Sequence, residues 1–310
     1  MELHPSVLVD IVSAIHRKAR ILCLTGTSED NDGIQKLLLG EGLPAGSVVF
    51  LNLPVLTMWV RDFGPICVEN SRAELVLVDT HYRERRGNKI DDTVPESMAT
   101  LLELPCREVP LTMEGGDLLS NGRGLCLSST RLINRNAHYR NYDPETVGSL
   151  LREYLGFEEW IPLPPLEGES TGHVDMFLTL VKPDVVVVGQ YDPALDPINA
   201  ERLDQIASQL AQTETNLGRL SVERIPMPPH DDGLWRTYTN VIFANGTLLI
   251  PAYPDVCPDL DRQAREIYSR LLPDWQVIGI DVSELIKMRG ALRCITMNIP
   301  HVKNSGLRLP

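Results

Sequence analysis

The sequence carries one small pattern four times, and that recurrence limits the folds open to it. Residues 66 to 82 (ICVENSRAELVLVDTHY), 118 to 130 (LLSNGRGLCLSST), 176 to 191 (MFLTLVKPDVVVVGQY) and 241 to 253 (VIFANGTLLIPAY) each read as strand, polar turn, strand. Asn, Gly and Pro between two short apolar runs are what a hairpin turn needs. The turn centres, at Asn70, Asn121, Pro183 and Asn245, are 51, 62 and 62 residues apart. Each hairpin leads into a helical stretch: Val94 to Leu104, Pro144 to Leu155, Ile198 to Leu210, and Leu260 to Leu272. The first three helices are entered through Asp or Thr-Val-Pro cap signals. Ahead of the first hairpin, periodicity predicts helix, strand, helix, strand over Pro5 to Arg20, Ile21 to Leu24, Ser28 to Leu39 and Ser47 to Leu53, and a strand-like piece, Cys294 to Ile299, follows the last. Alternating strands and helices predict an α/β class. Repeats that each leave a face unburied must pack on one another, and a closed ring leaves no exposed ends.

Composition narrows what such a fold would act on. At 310 residues and 43% hydrophobic the chain can bury a large core, and we expect one domain over residues 1–310. No window approaches the ~20 consecutive apolar residues of a membrane span. Charges also run through the first residues, where a signal peptide would be apolar, so the chain is expected to be soluble and cytoplasmic. Asp plus Glu exceed Lys plus Arg by 42 to 29, a net charge of −13 that disfavours nucleic acid and favours a cationic ligand. The six cysteines form no CxxC pair and no dense framework, so most are expected to be small buried apolar residues.

Polar residues gather just before each hairpin. In chain order these segments are WVRDFGP (59–65), MEGGD (113–117), TGHVD (171–175), TYTN (237–240) and ALRC (291–294). They place Asp62, Glu114, His173 with Asp175, Asn240 and Cys294 at equivalent corners of successive units. His173 and Asp175, two apart on an extended segment, share a face. Carboxylates on two sides match the planar fork of a guanidinium. Its resonance-stabilised carbon needs a strong nucleophile such as a thiolate, and loss of an amine needs a proton donor such as His. Each group also has a plainer reading. A free Cys is commonly buried and apolar. An isolated His-x-Asp also fits a strand end or a fragment of a metal site. Glu114-Gly115-Gly116-Asp117 fits a tight turn, Asp62 beside Arg61 an ion pair, and Trp59 a core residue.

Taken together, WVRDFGP, EGGD, the LINRN run of Leu132 to Asn136, GHVD, the YTN-to-NGTLLIP hairpin and Cys294-Ile295-Thr296 resemble the guanidine-modifying penteins. Within these they are similar to the agmatine deiminase and bacterial, Porphyromonas-type, peptidylarginine deiminase group. The resemblance covers Trp59 to Pro300 and implies a single pentein domain, a fivefold pseudosymmetric α/β propeller of ββαβ units. It implies Cys294 as nucleophile and His173 as general acid, later the base for water. Asp62 and Asp175 would grip the guanidinium, and Glu114 would hold the nitrogens near His173. Asn240 would have an active-site role, and Trp59 and Arg61 would join the substrate-binding set. The implied reaction is hydrolysis of agmatine, arginine or peptidyl-arginine to a ureido product and ammonia through a covalent thiouronium, without cofactor or metal. An amidinotransferase and a catalytically silent, ligand-binding pentein remain open as alternatives, and so does a homo-oligomer.

The chain departs from that group where the substrate tail would be read. Lys287 to Arg293 replace the glycine-rich loop and the His that precede the nucleophile in agmatine deiminases. Met176 follows the HVD motif in place of an Asn, and THYRERRGNK (80–89) replaces an aromatic, Gly-rich stretch. Arg83, Arg85 and Arg86 would suit a substrate carboxylate, or would simply be solvated. The segment PMPPHDDGLWR (226–236), with Asp231 and Asp232, would suit a lid that reads an amine tail.

Overall fold

The computed structural model describes residues 4–82, 89–304 and 306–307. Its chain forms two compact units, Met1–Gly115 with Ile295–Pro310, and Gly116–Cys294.

In the first unit, α1 (Pro5–Ile15) precedes β1 (Leu22–Thr25), α2 (Ser28–Gly40) and β2 (Val49–Asn52), and β1 pairs with β2 in parallel. Thr27 starts α2 with a reciprocal cap: its Oγ1 accepts the Asp30 N–H at 3.2 Å, and the Asp30 carboxylate accepts the Thr27 N–H at 2.9 Å. A single helical turn, α3 (Val60–Phe63), leads into the antiparallel hairpin β3 (Ile66–Glu69) and β4 (Leu75–His81). Then α4 (Val94–Leu101) returns the chain to β5 (Cys106–Thr112), parallel to β4. The predicted Thr-Val-Pro cap of α4 takes another form. Thr93 makes no side-chain cap and instead donates to the Ile90 carbonyl at 2.8 Å, closing a 3-10 turn over Asp91–Thr93. Leu51, Leu75, Leu77, Leu102 and Val302 share this unit's core.

The second unit repeats that topology three times. The hairpin β6 (Leu118–Ser120) and β7 (Leu125–Ser129) is followed by α5 (Arg131–Arg140), α6 (Pro144–Leu155) and the parallel strand β8 (Glu159–Leu163). Next come β9 (Leu178–Lys182), β10 (Val185–Gln190), α7 (Pro197–Gln212), the short ribbon β11 (Glu214–Thr215) and β12 (Gly218–Arg219), and β13 (Ser221–Pro226), parallel to β10. Last are β14 (Ile242–Ala244), β15 (Thr247–Ala252), α8 (Pro258–Leu271) and β16 (Gln276–Asp281), with β15 and β16 parallel. Asp143 and Asp196 cap α6 and α7 by accepting N–H groups of Thr146 at 2.8 Å and Asn199 at 3.0 Å. The first unit's β1–α2–β2 is the same motif without its leading hairpin strand.

The hairpin asparagines work by two mechanisms. Asn70 and Asn121 accept two backbone N–H groups each through Oδ1, from Arg72 and Glu74 and from Arg123 and Leu125, at 2.8 to 3.0 Å. Asn245 and Gly246 instead take φ of +43° and +87°, the two-residue turn that matches strand twist. The expected strand over Cys294 to Ile299 is not one. Arg293–Ile295 is a 3-10 turn followed by irregular chain, and the N–H of Arg293 goes to a side chain, not to a strand ladder. Among the described residues, no helix is long and apolar enough to cross a membrane.

Candidate active site

In the second unit, Asp175, Asn240 and Cys294 are linked by polar contacts through Thr239 and Arg293, and His173 lies two residues before Asp175. His173 stands just before the 3-10 turn Val174–Met176 that contains Asp175, and both are buried. The segment ahead of it is fastened by Glu169, whose carboxylate accepts from Thr171 N at 2.9 Å, Thr171 Oγ1 at 2.7 Å and Gly172 N at 2.5 Å. Gly116 gives the imidazole its seat: a Cβ there would lie 2.3 Å from His173 Nδ1. Gly116 has no positive φ, so the need is for space, not for a turn.

Asp117, next in the EGGD run, is fully buried and paired with Arg135 of the LINRN run on α5. That pair explains why two motifs far apart in sequence belong together: a buried carboxylate requires a partner.

Asn240 and Cys294 meet at the last corner. Asn240, fully buried, accepts the Arg293 N–H through Oδ1 at 2.7 Å, and the same oxygen lies 3.7 Å from Cys294 Sγ. Thr239, beside it, donates to the Asp175 carbonyl at 3.0 Å. The TYTN run is itself held from beneath. Tyr238 donates to Asp261 at 2.5 Å, Tyr253 donates to the Thr237 carbonyl at 3.2 Å, and Tyr268 donates to the Tyr238 carbonyl at 2.8 Å. Burial pushes all three phenols well above the usual tyrosine range, so they remain neutral donors.

The Asp175 carboxylate has a partner that sequence reasoning did not find. Its Oδ2 accepts from Arg293 Nη1, while its Oδ1 is buried without a hydrogen-bond partner among the described residues. The signal was present as an arginine directly before Cys294.

In the first unit, Trp59 precedes α3 and packs on Phe63, Tyr82 and Val94. Arg61 is buried, with Nη1 at 3.0 Å from Met297 Sδ. Asp62 follows it on α3, and Glu114 ends the stretch after β5. Gly115 is required by the Arg61 carbonyl, which a Cβ would approach to 2.0 Å.

The two tail-reading segments fare differently. Arg83, Arg85 and Arg86 lie outside the described residues. PMPPHDDGLWR is pinned down. The His230 ring stacks on Trp235 at 3.9 Å, and its Nε2 is 2.8 Å from Asp196. Trp235 packs on the core. Asp232 is engaged by Arg236 at 2.5 and 3.1 Å, which holds its carboxyl below the usual range. Among the cysteines, Cys126, Cys257 and Cys294 are buried, Cys23 and Cys67 are half-buried, and Cys106 is exposed. Burial pushes the Cys23 thiol up to about 11 and the Cys67 thiol up to about 12.

Comparison with known proteins gives the fold and family of the chain. A provisionally named agmatine deiminase of Legionella pneumophila is 27% identical over 285 residues, covering 87% of this chain and 79% of that one. A provisionally named arginine deiminase structure from Porphyromonas gingivalis superposes with a TM-score of 0.84 at 23% identity, over 99% of this chain and 92% of the other. The agmatine deiminase of Enterococcus faecalis does so with a TM-score of 0.81 at 20% identity, over 93% and 85%. These likenesses bear out the expected pentein fold. Residues 2–300 match one family throughout, so the chain belongs to the Porphyromonas-type peptidyl-arginine deiminases.

Proposed function

We propose that the protein hydrolyses the guanidino group of a small cationic substrate, giving a ureido product and ammonia. The observation that carries this reading is the contact set of Asp175, Asn240, Arg293 and Cys294. A buried carboxylate there accepts a guanidinium, and a buried thiol stands 3.7 Å from the oxygen that fixes its turn.

In this reading the Cys294 thiolate attacks the guanidinium carbon and a C–S bond forms. His173 protonates the leaving nitrogen, and the C–N bond breaks with loss of ammonia. The carbon is then held as an S-alkyl thiouronium. His173 takes a proton from water, which adds to that carbon; the C–S bond breaks, and Cys294 is restored. Asp175 binds the guanidinium, while the parts given to Asp62 and Glu114, with Trp59 and Arg61 beside them, rest on their motifs. The substrate class includes agmatine, free arginine and a peptide's arginine, which share the reacting group.

Ammonia release screened over agmatine, arginine, arginine-containing peptides and small guanidines tests this, with the ureido product identified by mass. One equivalent of each product per turnover is expected. Transfer of the amidino group to an added amine without ammonia, or no turnover of any guanidine, would overturn it.

A further inference from the structure

The stretch that ends at His173 belongs to no helix or strand, so its backbone N–H groups need acceptors from elsewhere. One carboxylate supplies them. Glu169 accepts the Thr171 N–H at 2.9 Å and the Gly172 N–H at 2.5 Å. The His173 N–H goes to Thr171 Oγ1 at 3.2 Å, and that hydroxyl donates to Glu169 at 2.7 Å. The consecutive amides of residues 171–173 therefore all end on Glu169, the last of them through one hydroxyl. Hydrogen bonds to an ionised acceptor are the strong ones.

The clamp fixes a conformation the chain would not otherwise keep. Gly172 sits at φ +65°, in the left-handed region. A Cβ there would lie 2.4 Å from Arg131 Cδ, and Arg131 at the start of α5 donates from Nη1 to the Ser170 carbonyl. Immediately after Gly172, the ring of His173 rests against Gly116 with no room for a methyl group. A backbone that relaxed over 171–173 would carry the ring off that seat. Among the described residues Glu169 hydrogen-bonds to Thr171 and Gly172, and not to Asp175, Asn240 or Cys294, so it reaches the chemistry through His173.

We infer that Glu169 is a positioning residue that, with Thr171 as its relay, sets the imidazole of His173 for proton transfer and takes no part in binding the guanidinium. The inference rests on the deiminase reading above, in which His173 moves the protons.

The test compares ammonia release from arginine and agmatine by the full chain and by Glu169→Ala, Thr171→Val and Thr171→Ser. In Glu169→Ala kcat should fall by roughly 30- to 300-fold, the scale of misplacing a catalytic group, while KM stays within about 3-fold. Thr171→Val keeps the shape but loses the relay, and should lose about 10-fold in kcat, the worth of one such hydrogen bond. Thr171→Ser restores the hydroxyl and should stay within about 3-fold of the parent. Gly116→Ala and Glu169→Ala displace the same ring, so together they should cost less than the product of the two effects, which independent structural losses would give in full. An unchanged kcat in Glu169→Ala, a rise in KM at constant kcat, or a Thr171→Ser as slow as Thr171→Val overturns the inference. If Glu169→Ala does not fold, the two Thr171 variants still decide. A measurement without turnover separates this inference from the reading it rests on. The proton NMR resonance of the His173 ring, assigned by its loss in His173→Gln, should shift in Glu169→Ala and Thr171→Val and return in Thr171→Ser. A resonance that does not move overturns the positioning role itself. If it moves as expected but the full chain turns over none of the guanidines screened above, it is the deiminase reading that fails.

Discussion

Gly116 lies against His173 so closely that a Cβ on the glycine would come within 2.3 Å of Nδ1, 2.6 Å of Cγ and 2.9 Å of Cε1. Gly116→Ala therefore has to push the imidazole aside. Because the glycine has no positive φ, the backbone itself tolerates alanine. We expect ammonia release to fall by roughly 100-fold or more, in line with the cost of misplacing a catalytic group, while the melting temperature drops by only a few degrees. Paired kinetics and calorimetry on the variant check this. Full activity would show that His173 does not need its present seat.

Asn240 ties the turn that carries Cys294 to the TYTN run. Asn240→Ala leaves the Arg293 N–H without its acceptor, at a cost of about 1–3 kcal/mol. Asn240→Asp keeps the acceptor but puts a negative charge where Oδ1 stands 3.7 Å from Sγ. That charge opposes formation of the thiolate. The prediction is slower alkylation of Cys294 by iodoacetamide in Asn240→Asp, measured where the variant is folded, with an unfolding midpoint below the parent's because the new charge is buried. Equal alkylation rates would remove Asn240 from the thiol's surroundings.

Arg135→Ala should be the most destabilising of these substitutions. It takes Arg135 away from a carboxylate that is fully buried, and breaking such a pair from one side costs about 3–5 kcal/mol. Denaturant unfolding should show the loss. Arg135→Ala with Asp117→Asn should recover part of it, because the buried charge that Arg135 balanced is then gone. A single variant as stable as the parent would contradict this.

Asp79 predicts an unusual pH dependence. It lies on β4 opposite Glu108 of β5. Burial first, then the charges of Asp92, Glu108 and Glu96, push its carboxyl from 3.8 up to about 6. A raised carboxyl costs nothing below pH ~4, where both folded and unfolded chains are protonated. As pH climbs from there through about 6 the unfolded chain gives up its proton first, so this group's contribution to stability is lost and stays lost at higher pH. Asp79→Asn should therefore leave the melting temperature unchanged at pH ~3.5 and raise it at pH ~8. The gain should be on the order of 1 kcal/mol after allowing for partial exposure. An equal effect at both pH values would contradict the assignment.

The hairpins and the helices after them were legible because their signals are local: apolar alternation, Asn-Gly or Lys-Pro-Asp turns, Asp-Pro caps. The third strand of each sheet was not. Cys106–Thr112, Glu159–Leu163 and Ser221–Pro226 carry Pro110, Pro162 and Pro226, and each sits at a sheet edge, where a proline is tolerated but the strand pattern is broken. Helix α5 escaped notice because only Leu132 and Asn136 are buried on it. At the site, the residue types were legible from motif order. The Arg293–Asp175 pair joins residues 118 positions apart, and no local pattern encodes it. The seat of His173 was hidden in the same way, since EGGD reads equally well as a turn and it is the packing that calls for Gly116.

The central claim is covalent deimination through Cys294, and the mass of acid-quenched enzyme during turnover tests it most directly. With arginine or agmatine in excess, a fraction of the chain should carry the substrate's mass less one ammonia, located on the peptide containing Cys294. In Cys294→Ala both that adduct and ammonia release should be lost, while the unfolding midpoint stays close to the parent's. Ammonia release by Cys294→Ala at the parent rate, or an adduct that maps to another residue, would contradict the account.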